Sequence, residues 1–195
     1  MTTYYRNEYL FSEIYLQEIT QQPEDTEILA SLTTLKEYRE FARTATIQEW
    51  KESFVHEVLY ALRFNIKIEN ERLTLLYPVG NMETPLTLCY VLLPTEDLDN
   101  TTMGRNWAEK VIRSLRHHNL KWGLLTNGEQ WRMYHLDEST PYEIFLEINL
   151  AAILSDSASQ AYQIFHKFMK VENFTTGELR QCRLDVFKKE SLAKI

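Results

Sequence analysis

The spacing of apolar residues changes at Phe64, and that change limits what this chain can fold into more than any other feature. Upstream, Trp50, Phe54, Val58, Leu59 and Leu62 recur at the interval of one helix face. Thr46, with Glu49 three residues on, reads as the capping box that starts that helix. Downstream, Phe64, Ile66 and Ile68 alternate with Asn65, Lys67 and Glu69, which is the two-residue repeat of a half-buried strand. A chain carrying both periods reads as an α/β domain.

The remaining segments extend this pattern. Tyr9, Leu10, Ile14, Leu16 and Ile19 predict a helix over residues 7–19 with Ser12 as an early cap. Pro23 breaks the chain, and the acidic residues after it suit the first turn of a second helix running to about Phe41. Residues 72–77 and 86–93 are near-continuous apolar runs, so three strands form a meander whose third member is buried on both faces. Trp107, Val111, Ile112 and Leu115 mark an amphipathic helix. Residues 122–126 form a short strand, Asn127-Gly128 is a hairpin turn signal, and Trp131, Met133 and His135 alternate on the return strand. One more strand is expected over 143–148, a helix over 158–169, and a charged helical tail over 177–195 that ends without a cap or breaker, as if the chain continued. The expected fold is a mixed β-sheet, a three-strand meander plus a hairpin, flanked by helices. It divides into N-terminal helices (1–45), an α/β core (46–172) and a C-terminal helical tail (173–195) that leads toward a further domain.

Length and composition exclude whole classes. At roughly 100–200 residues per domain, 195 residues allow one domain or slightly more. With 5 Gly, 5 Pro and 44% apolar residues, the chain is neither disordered nor collagen-like. Its longest apolar runs fall far short of the roughly 18 residues of a membrane span, and its start lacks the pattern of a secretory signal. Cys89 and Cys182 have no metal-ligand spacing and are expected as free thiols in a reducing cytoplasm. Charge is uneven: residues 1–100 hold 8 Lys and Arg against 17 Asp and Glu, and residues 101–195 hold 13 against 11. The basic concentration comprises Arg105, Lys110, Arg113, Arg116, Lys121 and Arg132, which are candidate phosphate contacts.

No glycine-rich phosphate loop, GxSxG, HExxH or CxxC occurs. The five histidines lack a ligand partner four residues away on one helix face, and His117 and His118 are expected to point apart. Glu96, Asp97 and Asp99 follow a buried strand, where carboxylates either hold Mg²⁺ or form solvated surface. Lys110, Arg113 and His117 form either a phosphate-contacting stripe or the wet side of an amphipathic helix. Trp122, Trp131 and Tyr134 are either base-stacking or core residues.

The phrase Trp122-Gly123-Leu124-Leu125-Thr126-Asn127-Gly128-Glu129-Gln130-Trp131-Arg132-Met133-Tyr134 resembles a segment in the N-terminal nuclease-type domains of type I and type IIG restriction-modification enzymes. Leu10-Phe11-Ser12-Glu13-Ile14-Tyr15-Leu16, the stretch from Glu52-Ser53-Phe54-Val55 to Leu62, and Pro85-Leu86-Thr87-Leu88 ahead of Leu98-Asp99 resemble further pieces in the same order. The resemblance implies the PD-(D/E)XK, restriction-endonuclease-like fold and Mg²⁺-dependent DNA cleavage. It places the strand carboxylate near Thr74 or Leu75 and the carboxylate–lysine pair near Tyr90 and Leu92, leaving only a helix acid, Glu52 or Glu57, in place. The expectation is therefore a catalytically inactive nuclease-like domain of a restriction-modification or phage-defence protein. It would work without a cofactor and be kept for DNA contact or for docking a methyltransferase or another subunit, with no membrane role. Two alternatives stand beside it: an active Mg²⁺-dependent endonuclease whose site has migrated to Glu83, Glu96, Asp97 or Asp99, and a protein-interaction module without a DNA role.

Overall fold

The computed structural model describes residues 4–21, 23, 26–101, 106–137, 141–176 and 181–194. Its strands are β1 (Tyr5–Glu8), β2 (Phe64–Ile68), β3 (Leu73–Pro78), β4 (Thr87–Val91), β5 (Trp122–Thr126), β6 (Gln130–His135) and β7 (Phe145–Asn149). They form one sheet in the order β1-β7-β6-β5-β4-β3-β2. β4 and β5 run parallel, connected through helix α5 (Trp107–His118), and the other neighbouring pairs are antiparallel.

Strict alternation on the central strands builds two core layers. Leu124, Trp131 and Leu146 face one side of the sheet, while Leu125 and Tyr134 face the other. Among the described residues α5 is the helix that covers the second side, its Trp107, Val111, Ile112 and Leu115 packing on Leu75, Leu88, Leu92 and Leu125. The first side carries α1 (Glu13–Thr20), α2 (Thr26–Phe41), α3 (Ile47–Trp50), α4 (His56–Ala61), α6 (Leu150–Asp156), α7 (Ser159–Met169) and α8 (Arg183–Leu192). Residues from the beginning, middle and end of the chain, such as Leu16, Trp50, Phe165 and Leu184, share this layer. Both cysteines are buried and free. No helix among the described residues is long and apolar enough to cross a membrane.

The structure matches the predicted meander, hairpin and α5, and the Thr46–Glu49 capping box is present with both its hydrogen bonds. Three local readings change. Residues 5–8 form an edge strand on β7 instead of beginning a helix, because their partner, Tyr5↔Ile148 through Glu8↔Phe145, lies at the far end of the chain. The Asn7 side chain then closes a turn on Phe11, accepting from its N–H at 3.2 Å and donating to its carbonyl at 2.7 Å, and Ser12 caps α1 as expected. After β7 comes the unexpected α6, capped by Asn149, whose side chain accepts from the Ala152 N–H at 2.9 Å. Between α3 and α4 the helix widens into a π turn, Lys51–Val55.

The hairpin loop is also longer than Asn127-Gly128 alone implies. Thr126 pairs with Trp131, and of the loop residues Gly128 takes positive φ, at 84°. Asn127 works through its side chain, accepting from the N–H groups of Glu129 and Gln130 at 3.1 and 2.8 Å, an Asx-type turn.

Candidate functional site

The positions where the resemblance places nuclease chemistry fall on both faces of the meander. Thr74 pairs with Cys89 across β3 and β4, and both side chains lie at full burial. Leu75 and Leu92 point the other way, into the layer under α5, with Tyr90 beside Trp107. No carboxylate stands among these positions. Glu52 is exposed on the π turn, where it accepts from Gln48, and Glu57 is half-buried on α4.

What fills this region instead is a set of buried groups that includes no carboxylate. The π turn carries Lys51 inward, where its ammonium donates to the Glu71 carbonyl at 3.0 Å. Burial pushes the Lys51 ammonium down and the Cys89 thiol up to about 12. Burial first, and the Lys51 charge second, push His56 down to about 4. His56 Nε2 and Thr74 Oγ1 are buried without a hydrogen-bond partner. With no carboxylate, one hydroxyl beside a protonated thiol, an imidazole and the Lys51 ammonium falls short of the anionic oxygen donors that Mg²⁺ requires, so the group implied by the resemblance does not fit here.

These histidines have a pH consequence. Burial also pushes His135 down to about 4. An unfolded imidazole takes up its proton near pH 6.5, well above the folded ones, so between those values the unfolded chain binds more protons and stability falls as pH falls. We expect the urea midpoint to drop from pH 7 to pH 5, and His56→Gln to shrink that drop by about 1 kcal/mol after allowance for solvent screening. An unchanged pH slope in the variant would show that His56 protonates normally in the fold.

The loop carboxylates, the candidates for a migrated metal site, are held by arginines. Arg132, 3% exposed, donates through Nε to Glu147 at 2.6 Å and meets Asp99 at 2.9 Å through Nη2. Arg6 reaches Asp99 at 3.3 Å and Glu147 at 3.6 Å, and the Arg132 guanidinium lies 4.2 Å from the centre of the Phe145 ring. Burial pushes the Asp99 carboxyl up, but Arg132 and Arg6 together outweigh it and hold it below the ordinary carboxylate value. Glu96 accepts from Arg72 and from the Leu93 N–H, each at 2.8 Å. Asp97 is exposed and accepts from the Asp99 N–H at 2.9 Å, and Glu83 lies exposed in the β3–β4 loop. Among the described residues no group of three or more His, Cys, Asp or Glu is placed to hold a metal ion.

Arg132 is thereby corrected from candidate DNA contact to buried ion-pair residue: its neighbours on β7 and in the loop after β4 use up its charge. Arg105 lies outside the described residues. The rest of the basic set stays at the surface. Lys110 sits 4.5 Å from the centre of the Trp107 ring, Arg113 pairs with Glu109 at 2.8 Å, and Lys121 lies 4.0 Å from Asp137. Arg116 and His117 are exposed. The His117 and His118 rings, expected to diverge, meet edge to face at 4.9 Å, and His118 turns toward Glu69 at 3.9 Å.

Every distinctive residue of the hairpin phrase has a packing task. A Cβ at Gly123 would stand 3.0 Å from Leu115 and Val111 of α5. Trp122 donates to Asp185 at 2.9 Å, Trp131 donates to the Gly128 carbonyl at 3.1 Å, and Trp50 of α3 donates to the Asn127 carbonyl at 2.9 Å. Trp122, Trp131 and Tyr134 are core residues and are closed to base stacking. Comparison of the chain with protein-family models, curated proteins and solved structures returns no match.

Sequence reasoning missed Lys51, although its helical phase signals burial. It precedes Val55 by four residues and Val58 by seven, the spacings of one helix face. Glu147 as the partner of Arg132 carried no such signal, since cross-strand pairing depends on register.

Proposed function

We propose that this chain is a nuclease-like domain of a restriction-modification or phage-defence protein, catalytically inactive and kept to contact DNA or to dock a methyltransferase or other subunit. One observation carries the reading: an antiparallel meander leads through α5 to a parallel strand bearing the hairpin phrase, and the meander positions that nuclease chemistry needs hold Thr74, Leu75, Tyr90 and Leu92. The surface offered to DNA is the outer side of α5 and its C-terminal end, with Lys110, Arg113, Arg116, His117 and Lys121. Such a stripe makes phosphate contacts without reading sequence. The pairing of Asp99 with two arginines and of Glu96 with a third argues against a migrated metal site.

The test is fluorescence anisotropy of a labelled random duplex, titrated without metal at low and moderate salt. Three or so phosphate contacts predict a salt slope near −3 on logarithmic axes, about fiftyfold weaker binding from 50 to 200 mM salt. Arg113→Glu with Arg116→Glu should weaken binding by about tenfold or more on unrelated sequences. Absence of binding at low salt would overturn DNA contact and leave subunit docking. Manganese-dependent cleavage at stoichiometric protein, abolished by Asp97→Ala or Asp99→Ala, would overturn inactivity.

A further inference from the structure

On the side of the sheet opposite α5, a cleft of about 240 Å³ opens between α7 and the start of α8, its polar wall formed by Gln163, His166, Lys167, Lys170, Asn173 and Arg183. A second cleft of about 210 Å³ shares Ile28, His166 and Lys170 with it and adds Ser31 and Arg63. Concentrated positive charge is unusual in a chain of net charge −7. Burial, then the charges of Arg183 and Lys170, push the Lys167 ammonium down, with Glu190 opposing. Glu172, on the wall of the second cleft, meets Arg63 at 3.5 Å. Arg183 is the first residue of α8, where the helix dipole disfavours a cation, and its guanidinium lies 5.7 Å from the centre of the Phe187 ring on the same helix.

Two buried polar atoms on the wall of the first cleft give the site its chemistry. Gln163 is 7% exposed and its Nε2, a donor, has no hydrogen-bond partner. Asn173 is fully buried: its Nδ2 donates to the Lys167 carbonyl, and its Oδ1, an acceptor, has no partner. Buried polar groups in folded proteins are nearly always paired, and here a donor and an acceptor are both unpaired beside clustered cations.

We infer that this cleft binds a small phosphate monoester, of mononucleotide size or less. A phosphate monoester brings anionic oxygens for Lys170 and for the planar fork of Arg183. Its second ionisation lies near pH 6, so the monoanion populated around and below that pH carries a P–OH that can donate to Asn173 Oδ1 while another oxygen accepts from Gln163 Nε2, once small rotations bring the two buried amides to the cleft. A phosphodiester within a duplex has no P–OH, and a duplex is too broad for the cleft. The site is therefore separate from the α5 surface and does not depend on the function proposed above.

Calorimetric titration of the full chain tests this, with inorganic phosphate and AMP as probes, sulfate as the control anion, and a short oligonucleotide with either a 5′-phosphate or a 5′-hydroxyl. Saturable binding of phosphate and AMP, with weaker binding of sulfate, is expected. Lys170→Ala and Arg183→Ala should each weaken AMP binding about tenfold while leaving the melting temperature nearly unchanged, because both side chains reach the surface. Lys110→Ala on α5 should leave it unaltered. Absence of binding at millimolar phosphate and AMP, or equal binding by both cleft variants, overturns the site. Binding of the 5′-phosphorylated oligonucleotide with none of AMP overturns the small-molecule assignment and makes the ligand a nucleic-acid end.

Discussion

Arg132→Ala should destabilise the fold by about 3–5 kcal/mol, because it leaves Glu147 buried beside an apolar ring with only the more distant Arg6 to compensate. Urea unfolding followed by tryptophan fluorescence measures the loss. The double variant Arg132→Met with Glu147→Leu should recover most of it, since removing both charges also removes the desolvation penalty of the survivor. Because Asp99 ties the loop after β4 to the same guanidinium, the single variant should also expose that loop to protease. A loss below about 1 kcal/mol, combined with weakened DNA binding, would return Arg132 to the nucleic-acid surface.

Gly128→Ala should cost about 2–5 kcal/mol, from two sources that act together. Its φ of 84° belongs to the left-handed region, which a Cβ disfavours, and that Cβ would stand 2.6 Å from Cε2 and 2.8 Å from Nε1 of Trp50. The indole also donates to the Asn127 carbonyl, so it cannot withdraw without giving up a buried hydrogen bond. In a Trp50→Phe background the same substitution should cost measurably less, and the coupling in that double-mutant cycle reports the contact directly. Additive losses would mean that the loop yields and the ring does not.

Both sites show how far sequence carries and where it stops. The period change at Phe64, the Thr46–Glu49 box and the alternation through Trp131, Met133 and His135 are local signals, and the elements they predict are present. β1 escaped because what makes it a strand is β7, and the Tyr9, Leu10 and Ile14 spacing invited a helix that begins only after Ser12. α6 escaped because seven residues are too few for a period to declare itself. The reading of Arg132 as a surface contact changed for an electrostatic reason. Charge counted along the chain treats Arg132 like Arg113, although one is closed off by two carboxylates and the other stands in solvent. Likewise, Gln163 and Asn173 carry no motif, and only the folded arrangement of α7, the turn that follows it and α8 shows that both line one cleft with Lys170 and Arg183.

The π turn and the glycine of the hairpin belong to one arrangement. The π turn begins directly after Trp50, the last residue of α3. The wider turn holds one residue more than an α turn, and the indole just before it lies over position 128. The indole fits there because the opposing loop has no side chain, and the space that the glycine leaves is filled by that ring. The helix and the hairpin, far apart in the chain, thus share one volume, so a side chain at position 128 and the indole of Trp50 compete for the same space.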